Sequence, residues 1–157
     1  NQLEDVDLCH ALYDASRAGV KVDLLVRGFC VLRPGVPDLS ENIRVVSILG
    51  RFLEHSRVYW FVSGHADPLD GEVLIGSADW MRRNLEFRVE TLAPVDDRTL
   101  KARLWQILEG MLADQRQTWD MQPDGTYRLR QPRTPEEETG IHERLMQQTR
   151  ERMLAGS

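Results

Sequence analysis

Short apolar runs rich in β-branched and aromatic residues stand between amphipathic helical segments, and this order leaves few possible folds. The first helical segment covers residues 3–18, where apolar residues recur on one face and Gly19 provides a stop. A strand is predicted at residues 20–26, because VKVDLLV becomes wholly apolar toward its end, as buried strands do. The turn-rich sequence RPGVPDLSEN follows as a long loop.

Further strands and a second strong helix follow this loop. The strands are predicted at residues 43–49, 57–62, 72–77 and 87–93. The helix is predicted at residues 98–113, with Asp96 and Asp97 as candidate caps and an apolar stripe along one face. Trp119 and Tyr127 then flank the turn sequence PDG, which predicts a hairpin. This order predicts an α/β domain with a mixed central sheet flanked by helices.

The last part of the chain has a different composition. Residues 132–157 are rich in Pro and in charged residues, and Thr134 with Pro135 forms a good helix start. The helix that they open, as far as about Met153, has only a weak apolar face. We therefore expect a folded part at residues 1–131 and a charged tail that is weakly helical or mobile, or that docks on a surface outside this chain.

Length and charge exclude several classes of protein. A chain of 157 residues can form one domain with a core but is short for two. Its net charge of −5 argues against a general nucleic-acid partner. No apolar run approaches the roughly 18 residues that span a bilayer. The N-terminal sequence has neither an initiator Met nor the features of a signal peptide, so we expect a fragment of a longer chain.

The basic residues are almost all of the type that suits phosphate. Of the 20 basic residues 18 are Arg, whose planar guanidinium can bind two phosphate oxygens at once. A high-GC genome would also produce this ratio, so only arginines in informative positions carry weight. Arg27 is one, because it follows a buried strand and precedes Gly28. Either it binds an anion at the strand end, or it pairs with Glu41 or Asp23.

His55 lies between Arg51 and Arg57, just before a predicted strand. Such a histidine is a structural or exposed residue, a metal ligand, or a group that handles phosphate. No second His or Cys lies at metal-ligand spacing from it, so we predict no metal site. The two arginines favour phosphate chemistry, because imidazole exchanges protons near neutral pH.

A third polar segment, GSADWMRRN at residues 76–84, follows another predicted strand. Its small residues can turn their amides toward an anion, and Ser77, Arg82, Arg83 and Asn84 add donors. The alternative is a tight turn between strand and loop that carries a solvated basic pair.

These features fall at or next to predicted strand ends: Arg27, His55 and residues 76–79. Ligands of α/β sheets bind at the carboxyl ends of strands, so the three features can converge on one anion site. Arg33, in the loop after the first strand, and Arg57 are candidates for a supporting role. Composition and spacing alone predict an α/β domain that binds a phosphate-rich anion.

Three long stretches carry a resemblance to a known family. They are ALYDASRAGVKVDLLVRG (11–28), LRPGVPDLSENIRVVSILGRFLEHSRVYWF (32–61) and IGSADWMRRNLEFRVETLAPV (75–95). All three closely resemble the C-terminal part of bacterial polyphosphate kinases of the type-1 family, and the resemblance covers most of residues 2–130. It implies a phospholipase-D-like domain, the second of two such domains in the family's C-terminal catalytic lobe.

The resemblance also implies an activity and its residues. The family moves the γ-phosphate of ATP onto a histidine and then onto polyphosphate, reversibly. That histidine, and most ligands of the Mg²⁺ that accompanies ATP, would lie in domains outside this chain. Arg27 in LLVRG and His55 in RFLEHSR match phosphate-binding positions of the family, and His55 is the catalytic candidate. On its own, the domain would be inactive.

The resemblance further implies the partners of the parent protein. They are ATP, ADP, polyphosphate and the remaining domains of the parent chain, with no nucleic acid. The parent would be a homo-oligomer in the cytoplasm, either free or peripheral to the inner membrane.

Two other functions stay open. A phospholipase-D-like phosphodiesterase would act as a dimer that brings two copies of His55 together. That superfamily has His-x-Lys with a nearby Asp, whereas this chain has His55-Ser56-Arg57 and a more distant GSAD segment. A non-catalytic polyphosphate-binding module would instead use the C-terminal helix as a docking element.

Overall fold

The computed structural model describes residues 1–155, which form a mixed α/β fold with seven strands in two sheets and four α-helices. In chain order the elements are α1 (Val6–Arg17), β1 (Val22–Leu25), β2 (Ile43–Ile48), β3 (Val58–Phe61), β4 (Glu72–Gly76), α2 (Arg82–Leu85), β5 (Leu92–Pro94), α3 (Arg98–Ala113), β6 (Thr118–Met121), β7 (Tyr127–Leu129) and α4 (Ile141–Ala155). Short 3₁₀ turns lie at Pro68–Asp70 and Pro135–Glu138. The α/β class predicted from the sequence is confirmed.

The larger sheet is mixed and has the order β1-β2-β6-β7. Strand β1 runs parallel to β2, whereas β6 runs antiparallel to both β2 and β7. Strand β2 is central, and all of its residues except Arg44 are buried. Its Ile43 and Val45 form a core with residues of α1 and the neighbouring loops, namely Leu3, Cys9, Val26 and Leu32. Burial on both faces accounts for the almost continuous apolar sequence of β2.

The smaller sheet is antiparallel, with the order β3-β4-β5. Trp60 of β3 packs against Trp105 of α3, with ring centroids 4.9 Å apart. The strand predicted at 87–93 is largely wrong, because only Leu92–Pro94 pairs with β4. The residues before it make a loop in which Val89 is fully exposed and Glu90 binds side chains of the preceding turn.

Two aspartates begin the main helices, as expected of N-caps. Asp5 accepts a hydrogen bond from Leu8 N at the start of α1, and Asp97 accepts one from Leu100 N at the start of α3. Helix α3 has the predicted bounds. None of the helices between residues 1 and 155 has the length and apolar character that a membrane crossing requires.

The end of the chain folds back onto the domain. A 3₁₀ turn forms after Thr134, and helix α4 begins only at Ile141. Ile141 is 4% exposed and packs with Ile48 and Met111 in a second core. The expectation that this helix is mobile, or docks only outside the chain, is therefore wrong for its first turns. The boundary predicted at residue 131 stays a prediction.

Candidate functional site

A cleft of about 350 Å³ opens where the end of β1, the segment before β3 and the turn after β4 meet. Arg27 and His55 both line it, so the two residues predicted to share a site do open onto one cleft. Three of the supporting candidates line it as well: Arg57, Ser77 and Asn84. The remaining lining residues are Asn1, Gln2, Leu53, Asp79, Arg83, Arg88 and Glu90.

Arg27 reaches the cleft from the end of β1. Its Nη2 donates to Asn1 Oδ1 at 2.6 Å, and its Nε donates to the Glu54 carbonyl at 3.3 Å. The ion pairs with Glu41 or Asp23 considered for it do not form, and Asp23 instead accepts a hydrogen bond from Arg44. A guanidinium has five N–H donors, so after two bonds Arg27 retains donors that can face an anion in the cleft.

His55 lies in an irregular segment between β2 and β3, residues 49–57, which we call the His55 loop. The His55 side chain is exposed, and Arg57 Nη1 lies 2.7 Å from its Nδ1. Arg57 Nη2 also lies 3.3 Å from Nε2. Because a guanidinium only donates hydrogen bonds, the shorter contact makes Nδ1 the acceptor and puts the proton of the neutral ring on Nε2. Both ring nitrogens thus lie beside Arg57, and Nδ1 is the more closely held.

Arg57 is itself fixed by Asp79, which comes from the GSAD segment. Its Nε and Nη2 donate to the two carboxylate oxygens of Asp79 at 3.1 and 2.8 Å. Asp79 is only 3% exposed, and burial by itself would raise the pKa of its carboxyl. The hydrogen bonds and the positive charge of Arg57 outweigh burial, so the pKa lies below its ordinary value.

The opposite wall of the cleft contains Glu90, which receives donors from the turn after β4 and from α2. Asn84 Nδ2 donates to Glu90 Oε1 at 2.6 Å, and Ser77 Oγ donates to Glu90 Oε2. These hydrogen bonds lower the pKa of Glu90. Ser77 Oγ also accepts a bond from Thr91 N at 2.9 Å. The side chains of Ser77 and Asn84 therefore donate hydrogen bonds to Glu90 in the wall of the cleft.

The sequence did not single out two of the arginines of the cleft. Arg83 belongs to the GSADWMRRN segment, but nothing in the sequence told it apart from Arg82, its neighbour. Arg88 was hidden within a predicted strand. Both are exposed at the cleft, so it contains four arginines, and its carboxylates are Asp79 and Glu90. This balance of charge favours an anion.

Two of the candidates lie outside the cleft. Arg33 reaches the turn between β6 and β7, where its Nη1 donates to the Pro123 carbonyl at 3.3 Å. Arg82 points away from the cleft and pairs with Glu86 at 2.8 Å on the exposed side of α2. Neither guanidinium joins the residues that line the cleft.

A larger cavity of about 800 Å³ lies next to the cleft and has a different character. It is lined mainly by apolar residues of β1, β3 and α3, such as Leu24, Trp60 and Trp105. Arg27 and Asp79 contribute to both spaces. The lining of the larger cavity includes three basic and four acidic residues, whereas that of the smaller cleft has four arginines, His55 and two carboxylates. The smaller cleft is therefore the better candidate for binding an anion.

Among residues 1–155, no group of three or more His, Cys, Asp and Glu side chains lies close enough together to hold a metal ion. The two carboxylates of the cleft are already bonded, Asp79 to Arg57 and Glu90 to Ser77 and Asn84. The donor set of the cleft therefore does not fit a Mg²⁺ site made by this chain alone.

The family model and the curated relatives that this chain matches belong to one family. Residues 1–140 match the family model described as polyphosphate kinase C-terminal domain 2. The chain is 54% identical over 149 residues to a polyphosphate kinase of Thermosynechococcus vestitus, which covers 95% of the chain and 20% of that protein. It is 48% identical over 156 residues to a polyphosphate kinase of Rhodopirellula baltica, covering 99% of the chain and 18% of that protein.

A solved structure shows the same arrangement of the backbone. The crystal structure of polyphosphate kinase from Porphyromonas gingivalis superimposes with a TM-score of 0.83 at 37% sequence identity, covering 96% of this chain and 23% of that one. The chain thus spans about one fifth of the length of the curated relatives that it matches.

Proposed function

The chain belongs to the polyphosphate kinase C-terminal domain 2 family, and from this premise we propose that it contributes Arg27 and His55 to the phosphoryl-transfer site of a longer kinase. The parent would move the γ-phosphate of ATP onto a histidine outside this chain and then onto the end of polyphosphate, reversibly. The single observation that carries the proposal is that Arg27 and His55 open onto one cleft among four arginines.

The proposed role of Arg27 is to neutralise charge on the moving phosphoryl group. Phosphoryl transfer depends on positioning and on electrostatic stabilisation more than on covalent chemistry by the protein. Arg27 is anchored by Asn1 and by the Glu54 carbonyl, so its remaining donors have a fixed direction. A guanidinium held in this way can bind two non-bridging oxygens of a phosphate at once.

The proposed role of His55 is to donate a hydrogen bond or a proton to the oxygen of the departing ADP. The shorter contact with Arg57 supports the hydrogen-bonding role, because it puts the proton of the neutral ring on Nε2. Transfer of a proton would require the imidazolium, which carries a proton on each nitrogen. In the reverse direction the same N–H would donate a hydrogen bond to the oxygen of the entering ADP. Loss of one such donor typically costs on the order of 100- to 1,000-fold in rate.

Mg²⁺ would enter the reaction with ATP, and its ligands would come mainly from domains outside this chain. The carboxylates of the cleft are bonded to side chains of this domain, so they would not be its main ligands. The remaining domains would also complete the wall of the cleft and supply the nucleophile.

The family resemblance further supports a homo-oligomeric parent that acts on ATP, ADP and polyphosphate rather than on nucleic acid. We propose that it works in the cytoplasm and that its histidine-linked phosphate makes it a phosphoprotein during turnover. Contact with the inner membrane has no support from the described residues. A phospholipase-D-like chemistry for His55 rests on the resemblance alone.

The test of this division of roles uses this chain with γ-labelled ATP and Mg²⁺. We expect no acid-labile phosphohistidine and no polyphosphate, because the nucleophile lies elsewhere in the parent. Label on His55, lost in His55→Ala, would contradict the proposal and make His55 the nucleophile. Hydrolysis of a generic phosphodiester that is lost in His55→Ala would instead support the phosphodiesterase alternative.

The same substitution in the full-length parent separates a catalytic from a binding role. His55→Ala should lower kcat about 100- to 1,000-fold in both directions of the reaction. The matched control is His65→Ala, since His65 is an exposed histidine in the turn between β3 and β4. If His55→Ala kept the wild-type kcat, the catalytic role of His55 would be wrong, and the result would favour the alternative of a non-catalytic polyphosphate-binding module.

A further inference from the structure

His142, the second residue of α4, is buried and bonded to the His55 loop. Only 2% of its surface is exposed, and it belongs to the C-terminal helix, for which the sequence predicted no catalytic role. It does not line the cleft, so it cannot touch a substrate there. His142 is therefore buried outside the cleft, and it contacts the loop that carries His55.

Both ring nitrogens of His142 bind the His55 loop. Phe52 N donates to Nδ1 at 3.2 Å, and Nε2 lies 3.0 Å from Glu54 Oε1. Because Nδ1 accepts a bond from a backbone N–H, it carries no proton, and Nε2–H donates to the Glu54 carboxylate. A single tautomer therefore satisfies the backbone and the side chain of the loop together.

Glu54 connects this histidine to the cleft. It is the residue directly before His55, and its carbonyl oxygen accepts the Arg27 Nε bond at 3.3 Å. Its side chain holds His142 while its backbone holds Arg27. A shift of Glu54 would thus move the peptide that carries His55 and would loosen one of the two bonds that fix Arg27.

The start of α4 is rigid enough to act as a support. The fully buried Asp114 accepts a bond from Ile141 N at 2.6 Å, and His142 N donates to Gln117 Oε1 at 3.3 Å. Gln117 also accepts a bond from Leu49 N at the beginning of the His55 loop, at 2.9 Å. The helix start and the loop are therefore fastened to the same segment.

Space at this junction is equally limited. A Cβ atom added to Gly50 would lie 2.5 Å from His142 Nδ1, which is closer than real contacts of this kind. The His55 loop is packed directly against the ring, so a substitution of His142 should alter the packing of the loop.

We propose that His142 is a positioning residue for the transfer site: through Glu54 it fixes the peptide that carries His55 and the guanidinium of Arg27. The C-terminal helix thereby becomes part of the catalytic arrangement without contacting the substrate. This inference rests on the proposed function, and it goes beyond it by assigning a role to a pair of residues outside the cleft.

The kinetic test uses Glu54→Ala and His142→Ala in the full-length parent, with His10→Ala, an exposed histidine of α1, as the control. Both test variants should lower kcat by up to about 100-fold, since small displacements of reacting groups have effects of this size. When either is combined with His55→Ala, the combined loss should be smaller than the product of the separate losses, because part of the effect of the pair acts through His55 and the rest through Arg27. Glu54→Gln keeps an acceptor for His142 and should recover most of the rate.

The outcomes separate the two ideas. If His55→Ala is inactive while Glu54→Ala and His142→Ala keep the wild-type kcat, the positioning role is wrong and the proposed function stands. A combined loss equal to the product of the losses of the separate variants also contradicts positioning. If His55→Ala itself keeps the wild-type kcat, the proposed function fails first. Glu54→Ala keeps the test decisive even if His142→Ala does not fold, because the Glu54 side chain is 21% exposed.

A measurement on this chain alone checks the geometry without any activity. In ¹⁵N spectra, His142 should have an unprotonated Nδ1 and a protonated Nε2 at neutral pH, and the Phe52 amide should exchange slowly with solvent. Glu54→Ala should speed that exchange, whereas His10→Ala should leave it unchanged. A protonated Nδ1, or rapid exchange at Phe52 in the unsubstituted chain, would refute the proposed support.

Discussion

The guanidinium of Arg57 binds the carboxylate of Asp79 with two hydrogen bonds, at 3.1 and 2.8 Å, and lies 2.7 Å from the ring of His55 through its Nη1. Asp79 is 22 residues further along the chain, after the β3–β4 hairpin. The hairpin therefore brings Asp79 next to Arg57, although the sequence separation of the GSAD segment from His55 gave no reason to expect this contact. An arginine fixed by an aspartate stands beside the histidine here, where the superfamily pattern leads one to expect a lysine.

Removal of Asp79 should destabilise the domain. Asp79→Ala leaves the half-buried Arg57 charge without its partner, so the free energy of unfolding should fall by about 3 kcal/mol. Asp23→Ala is the matched control, because Asp23 binds Arg44 at the same distance of 2.8 Å on the exposed surface. Its effect should stay within about 1 kcal/mol. Urea unfolding of this chain measures both, and equal effects would contradict the importance of burial.

The same ion pair should make stability depend on pH at the acid end. The pKa of Asp79 lies below its ordinary value in the folded chain, since Arg57 outweighs the effect of burial. Its contribution is then complete above the unfolded pKa and is lost as the pH falls through the folded pKa, below about pH 4. The unfolding free energies of the wild type and Asp79→Asn should therefore differ at pH 7 and converge toward pH 2. If the difference between the two unfolding free energies grew as the pH fell, the pKa of Asp79 would not be lowered in the folded chain.

Substitution of Arg27 should affect catalysis more than binding. In the full-length parent, Arg27→Ala should lower kcat by on the order of 100- to 1,000-fold, because charge on the transferring group loses its donor. Arg27→Lys should recover only part of this rate, since an ammonium lacks the two-pronged geometry. Initial rates of ADP formation measure the effect, with the exposed Arg17→Ala as control. A kcat for Arg27→Ala within twofold of wild type would remove Arg27 from the site.

Arg83 and Arg88 should strengthen polyphosphate binding to this chain. Each is exposed at the cleft and should contribute about 1 kcal/mol, so either Ala substitution should raise Kd about fivefold. The effect should shrink as salt is added, because exposed charges are screened. Arg82→Ala is a close comparison, since Arg82 adjoins Arg83 but pairs with Glu86 outside the cleft. Equal losses for Arg82 and Arg83 in a calorimetric titration would argue for binding by net charge alone.

The start of α4 should contribute to the stability of the whole domain. Ile141→Ala removes a buried side chain from the core with Ile48 and Met111, which should lower the free energy of unfolding by about 2–5 kcal/mol. Leu154 lies in the same helix but is 79% exposed, so Leu154→Ala should change it by no more than about 0.5 kcal/mol. Thermal or urea unfolding of this chain distinguishes the two. A silent Ile141→Ala would mean that the helix does not dock in solution.

Part of the site could be read directly from the sequence. Arg27 follows β1 of the larger sheet and His55 precedes β3 of the smaller sheet, and both lie at the cleft, so the two predicted residues do share a site although their strands do not share a sheet. The long family resemblance pointed to the same two positions. Arg33 and Arg88 show where such reasoning fails. The loop of Arg33 turns toward Pro123, and Arg88 occupies an apolar-looking run that does not form a strand.

The position of the C-terminal segment depends on tertiary contacts more clearly than that of any other element. Its apolar face is weak, so the local pattern predicted a tail that is weakly helical or mobile, or that docks on a surface outside this chain. The structure buries Ile141 and His142 because Asp114 and Gln117 bind the backbone at the start of the helix. Those partners lie 27 and 25 residues earlier in the chain, beyond the reach of any helical periodicity.

The sequence by itself determined the class of fold, the main helices and most strands, since these depend on the local spacing of apolar residues and on nearby caps. It also determined the family, because long matched stretches are specific in a way that short motifs are not. Only the tertiary structure decided which arginines face the cleft, which carboxylate holds Arg57, and that His142 reaches the His55 loop. Those relationships join residues far apart in the chain, and their geometry exists only after the sheets and helices have packed.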